Sequence, residues 1–107
     1  MNVFGDTLTK TNIKGWNFNE NNSEEERKYA VIFHNDRDTD VMYVILVLIL
    51  FFEKTIEQSE ALIDYIEENG TGIAGIYDID TAYEKLDMVE EFNKIHGQKL
   101  ILTVKEA

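Results

Sequence analysis

Ala30-Val31-Ile32-Phe33-His34-Asn35-Asp36-Arg37-Asp38-Thr39-Asp40-Val41 is the stretch that decides the fold. It opens with a short apolar run, breaks into six polar residues, and leads into an uninterrupted apolar dozen, Val41 to Phe52. Asn and Asp bond their own backbone and start turns, so 35–40 continues neither flank. Asp38, Thr39 and Asp40 offer a helix cap and negative charge at a helix start. Strands of twelve residues are rare while helices of twelve are ordinary. Leu and Met favour the helix as well. The reading is a strand at 29–34, a polar corner, and a helix at 41–52. The free N–H groups of a helix start gather polar side chains, so the corner is where function is sought.

Working outward, Thr55 and Gln58 spell a capping box, and a second helix is expected from Ile56 to about Glu68. Its apolar positions Ala61, Leu62, Tyr65 and Ile66 recur at helical spacing with Ile63 beside them. Asn69-Gly70 stops it. Ile73, Ile76 and Tyr77 give the next stretch strand character. Gly70 and Gly72 are read as a turn entering it, and Gly75 as a close backbone approach. The glycines do not make a phosphate loop, because no Gly-Lys-Ser/Thr ending follows. Asp78 or Asp80 caps a third helix that reaches about His96, with Ala82, Leu86, Val89 and Phe92 on its apolar face and Gly97 closing it. A final strand is expected at 99–104. It is the most apolar of the three and is therefore expected at the centre of the sheet. The order strand, two helices, strand, helix, strand predicts an α+β fold: a two-layer β-α-α-β-α-β sandwich, with three helices on a three-stranded antiparallel sheet.

The chain has 107 residues, one domain by length. Its 44% hydrophobic content supports a core. Residues 1–28, rich in Asn, Thr, Gly and Glu without steady apolar period, are expected to form a flexible tail, or a peptide that docks through Trp16 and Phe18. The tail carries four bases against five acids, the remainder six against sixteen. A net charge of −11 argues against nucleic acid and anionic membranes and favours cationic partners. There is no cysteine and hence no disulfide or thiolate chemistry. The apolar dozen is too short to span a bilayer, residues 1–9 do not read as a signal peptide, and a cytoplasmic location is expected. His34, Asp36 and Asp38 alternate along the chain, but with only one other histidine, His96, no metal site or cofactor is expected. His96 is read as complementing a helix C-terminus. No nucleophile stands with the carboxylates, so no catalytic residues and no enzyme are expected.

From residue 29 to 107 the chain resembles the ClpS family, adaptors of AAA+ Clp proteases in the bacterial N-degron pathway. Val31-Ile32-Phe33-His34-Asn35-Asp36 is similar to the family's opening strand and Asn-Asp-Asp corner. Thr39 matches a Thr that caps the first helix. Gly70-Thr71-Gly72-Ile73-Ala74-Gly75-Ile76-Tyr77 resembles the family's Gly-Arg-Gly-Val-Cys-Gly-Val-Tyr block. Ala82, Lys85 and Val89 match its third helix, and Leu100 to Val104 its last strand. The resemblance implies a two-layer fold with the last strand in the middle. It also implies a pocket between corner and second helix that takes the free α-amino group and bulky first side chain of a substrate protein. Asn35, Asp36, Thr39 and Glu67 stand where the family holds the amino group. Val41, Val44, Ile63, Ile66 and Leu100 would form the apolar part. Asp80 and Lys85 stand where the family docks on the N-terminal domain of a Clp unfoldase.

Three positions depart from the pattern: Arg37 replaces the corner's second Asp, Glu67 a second-helix His, and Val41 an entrance Met. An ammonium has three donors to satisfy, which Asn35, Asp36 and Glu67 can accept. Arg37 is the modulator: turned inward it would pair with Glu67 and occupy the site. Two further readings therefore stand beside the adaptor, a regulator that docks without binding N-degrons and an assembly module. The latter rests on Leu46, Ile49 and Leu50, which fall where the family's first helix carries polar residues. An outward apolar patch of a few hundred Å² there would be a contact surface, self-association included.

Overall fold

The computed structural model describes residues 27–107. The expectations for the tail, including Trp16 and Phe18, lie outside that range. The elements run β1 (Tyr29–His34), α1 (Val41–Phe52), α2 (Ile56–Asn69), β2 (Thr71–Tyr77), α3 (Ile79–His96) and β3 (Leu102–Glu106). The sheet is antiparallel in the order β2-β1-β3.

The central strand is thus β1, not the last one. It pairs on one side with β2, Tyr29 opposite Tyr77 through His34 opposite Thr71, and on the other with β3, Tyr29 opposite Glu106 through Phe33 opposite Leu102. The apolar run that suggested a central last strand has another cause. Leu100 precedes the strand and is buried because it fills the floor of a pocket, and Ile101 is exposed. β3 itself begins at Leu102 and alternates buried Leu102 and half-buried Val104 with exposed Thr103 and Lys105.

Side chains alternate across a sheet. Val31, Phe33, Ala74 and Leu102 face the helices and join Tyr43, Val47, Leu48, Phe52, Ile63, Ile66, Ala82, Val89 and Leu100 in one core. Ile73 and Ile76 are exposed. A bulge shifts the register between Val31 and Ile32, leaving Ala74 as the extra residue of β2.

The helices start and stop for the reasons their sequences suggest. The capping box of α2 is formed, with Gln58 N–H donating to Thr55 Oγ1 at 3.0 Å and Thr55 N–H to Gln58 Oε1 at 2.9 Å. Asp78, not Asp80, caps α3, accepting from Thr81 N–H at 2.8 Å. Gly70 and Gly97 end α2 and α3 with φ of 88° and 65°, a conformation that costs other residues more than glycine. Gly72 lies inside β2 rather than in a turn. A Cβ there would meet Ile66 Cγ1 at 2.7 Å, so it is the point where α2 rests on the strand. At Gly75 the close approach is by the Tyr77 ring, not by backbone.

On α2 the buried positions are Ser59, Ile63 and Ile66, with Leu62 half-buried; Ala61 and Tyr65 are exposed. The inward stripe is anchored one position away from the one the spacing suggested. Among the described residues no helix is long and apolar enough to cross a membrane.

Candidate functional site

The corner is built from backbone ties to both neighbours of β1. His34 N–H donates to Ile101 O at 3.1 Å, and Asn35 N–H to Gly70 O at 2.8 Å. The end of the central strand is thereby fixed between the close of α2 and the approach to β3. Asp36 then closes the turn on itself. Its Oδ1 accepts from Asp38 N–H and its Oδ2 from the Thr39 hydroxyl, both at 2.9 Å. These two bonds, the Asp38 amide foremost, hold the Asp36 carboxyl below its ordinary pKa of 3.8, with Lys99 adding a smaller pull in the same direction. Thr39 is buried and serves the turn. The cap of α1 is Asp40, whose Oδ1 accepts from Met42 N–H at 3.1 Å. The expectation of a Thr cap is corrected: Thr39 spends its hydroxyl proton on Asp36 three residues back.

Every residue assigned to the amino-binding and apolar groups lines one pocket. Asn35, Asp36, Thr39 and Glu67 contribute its polar side, and Val41, Val44, Ile63, Ile66 and Leu100 its apolar side. The inner cavity is about 40 Å³. A polar bowl of about 370 Å³ shares Asn35, Asp36, Thr39, Val41 and Glu67 with it and adds Arg37. Arg37 is exposed at that rim, and no ion pair joins it to Glu67. Among the described residues the ion pairs are Arg27 with Glu106 and Lys94 with Glu91. Nor do the described residues contain a cluster suited to a metal ion. His34, weighed above as a ligand, instead bonds Thr103 Oγ1 through Nε2 at 2.8 Å.

Three lining or supporting residues escaped the sequence reading. Phe33 and His34 also line the pocket. Asn93 is buried in α3, accepting from Tyr43 Oη–H at 2.7 Å and donating through Nδ2 to Leu100 O at 2.8 Å. That chain of bonds joins α1, α3 and the segment before β3, and sets Leu100 in the pocket floor. A signal for it was present: Asn93 falls four residues after Val89, on the buried stripe of α3, and a buried amide needs partners. His96 packs against Phe92 in the last turn of α3, with ring centroids 4.3 Å apart and the rings tilted at 57°.

Asp80 and Lys85 lie at the other end of the sheet, where β1 begins and β2 ends. Asp80 is exposed in the first turn of α3. Lys85 is half-buried, its Nζ 5.6 Å from the Tyr77 ring centroid and 5.9 Å from that of Phe52. A cation over two aromatic faces is held in place by their quadrupoles.

An α+β domain of three helices on a three-stranded open sheet, with an apolar pocket under a polar strand–helix corner, defines a class of small binding domain. The comparisons name it. The family model described as "ATP-dependent Clp protease adaptor protein ClpS" matches residues 24–103, and the chain belongs to that family. The Clp protease adapter ClpS of Clostridium acetobutylicum is 36% identical over 83 residues, covering 78% of this chain and 82% of that protein. Its counterpart in Xylella fastidiosa is 32% identical over 80 residues, covering 75% and 76%. Agrobacterium tumefaciens ClpS2, solved bound to L-phenylalaninamide, has the same fold, with a TM-score of 0.71 at 21% identity over 76% of this chain and 98% of that one. Membership makes the chain a ClpS adaptor of a Clp protease.

Proposed function

We propose that the corner pocket binds the free α-amino group and bulky apolar first residue of N-degron substrates, and that the protein delivers them to a Clp AAA+ unfoldase on which it docks through Asp80 and Lys85. One observation carries this reading: a single pocket is lined by acceptors on one side and apolar side chains on the other. Each carboxylate oxygen has two acceptor sites, so Asp36 can serve the turn and an ammonium together. Glu67 adds a second carboxylate at the rim. L-Phenylalaninamide, bound by the A. tumefaciens neighbour, joins a free amine to an aromatic side chain, which is the same chemistry.

The magnitudes are sufficient. An aromatic side chain buries about 150–250 Å², worth roughly 4–6 kcal/mol at about 25 cal/mol per Å². Charged hydrogen bonds add about 1.5–3 kcal/mol each, against an association cost on the order of 4–15 kcal/mol. Micromolar affinity is the expected balance. Val41 is shorter than the family's Met, so Ile and Val termini are expected to enter as well.

The test uses fluorescently labelled peptides beginning with Leu or Phe, free and acetylated. Acetylation removes the charge and is expected to abolish binding. A second reading, a regulator that docks without binding N-degrons, is favoured by one feature, the Arg37 cation at the rim. Arg37→Asp separates the two. Under the first reading the parent binds and the variant binds somewhat better. Under the second only the variant binds. No preference for a free terminus in either protein rejects the pocket assignment.

A further inference from the structure

The outer face of α1 bears no polar residue. Met42 is 68% exposed, Leu46 42%, Ile49 37% and Leu50 53%. These positions follow steps of four, three and one, a straight stripe over roughly 12 Å of helix at about 1.5 Å per residue. The opposite face of the same helix, Tyr43, Val47, Leu48 and Phe52, is already in the core. The exposed stripe therefore lies outside that core.

Its surroundings are predominantly acidic. Asp40 and Glu53 cap the two ends of α1, with Lys54 next to Glu53. α1 packs against both α2 and α3. α2 carries Glu57, Glu60, Asp64, Glu67 and Glu68, all exposed, and neither Lys nor Arg. α3 carries Asp80, Glu84, Asp87, Glu90 and Glu91, also exposed, against Lys85 and Lys94. An apolar stripe on a helix packed against two predominantly acidic helices is complementary to a helix that is apolar on one face and basic on its edges. Laid along α1, such a helix inserts its apolar side chains beside Leu46 and Leu50 and turns its lysines toward α2 and α3. A second copy of this chain would instead bring acidic flanks against acidic flanks.

We propose that the outer face of α1 is a docking surface for a basic amphipathic helix of a partner protein, separate from the corner pocket and from Lys85.

The probe is an 18-residue, N-acetylated peptide of leucine and lysine with leucine on one helical face. Its control has the same composition in a scrambled order. Both are titrated into the full chain. The amphipathic helix is expected to bind at least tenfold more tightly than the scrambled peptide. Leu46→Gln with Leu50→Gln is expected to lose at least tenfold of that affinity while a free Phe-initiated peptide binds unchanged. An unchanged urea-denaturation midpoint shows the double variant still folded, whether or not the pocket takes that peptide.

Equal binding of the two peptides, or undiminished binding to the double variant, overturns the proposal. So does a parent dimer in sedimentation that the double variant abolishes, since a second copy then covers the stripe. A red shift of the single tryptophan, Trp16, on introducing the double substitution also overturns it, because the chain's own N-terminal segment is then the occupant.

Discussion

The two ends of the sheet are ordered by different physics. At the corner, where β1 ends, short polar groups hold one another: Asp36 closes its own turn, Asp40 caps α1, and two backbone bonds tie the strand end to Gly70 and Ile101. At the opposite end, where β1 begins, large rings do the holding, with Phe52 and Tyr77 6.5 Å apart and Lys85 over both. Hydrogen-bonded turns leave concave space and unspent acceptors, which suits a small cationic group. The packed rings instead hold the half-buried Lys85 ammonium in a fixed place. The difference makes the two ends separable by mutation.

The largest effect is expected at the buried bonds that support the corner pocket from below. Asn93→Leu leaves the buried Tyr43 hydroxyl and Leu100 carbonyl without their partners. Each orphaned group costs about 1–3 kcal/mol, so urea denaturation should show a loss of about 2–6 kcal/mol, with the pocket floor loosened. An unchanged urea midpoint would mean that the pocket floor is not held by this chain of bonds.

Asp36→Ala acts on one end only. It removes the acceptor of both turn bonds and one carboxylate of the pocket, so affinity for a free Leu-initiated peptide should fall at least tenfold. Affinity for the N-terminal domain of the Clp unfoldase should stay the same. Lys85→Glu is its mirror: roughly tenfold weaker docking, about the 1.4 kcal/mol of a tenfold change, with peptide binding untouched. A variant that moves both affinities would break the separation.

The smallest effect is in pH, and here the two ends agree. The carboxyls of Asp36 and Asp78 are both held below the ordinary 3.8, in each case foremost by a backbone N–H. A group whose folded pKa is depressed contributes stability that is present above its unfolded value and lost as pH falls through the folded one. The Asp38 and Thr81 amide resonances should therefore titrate with midpoints below 3.8. A midpoint at or above 3.8 would show that the carboxylates are not held by these amides.

Much of the site was legible in the sequence because it is local. The Asn35–Asp40 corner, the capping box at Thr55, the glycine stops and the twelve apolar residues of α1 each act within a few residues of themselves. The resemblance to ClpS then pointed to Glu67, Ile63 and Leu100, and these line the same pocket as the corner. Thr39 was misread because two acceptor-bearing neighbours compete for the same helix end, and only geometry shows that Asp40 takes it while Thr39 turns back to Asp36.

The sequence by itself determined the order and type of the elements, since periodicity and capping are properties of neighbours in the chain. It also carried the polar corner, the acidic balance and the anomalous apolar face of α1. Only the tertiary structure decided that β1 lies at the centre of the sheet, because hydropathy cannot tell a strand flanked on both sides from a strand whose leading residue fills a pocket. It alone showed that Arg37 and Glu67 share a rim without pairing, and that Asn93 ties Tyr43 to Leu100. Those are meetings of residues far apart in sequence, and their partners are fixed by packing.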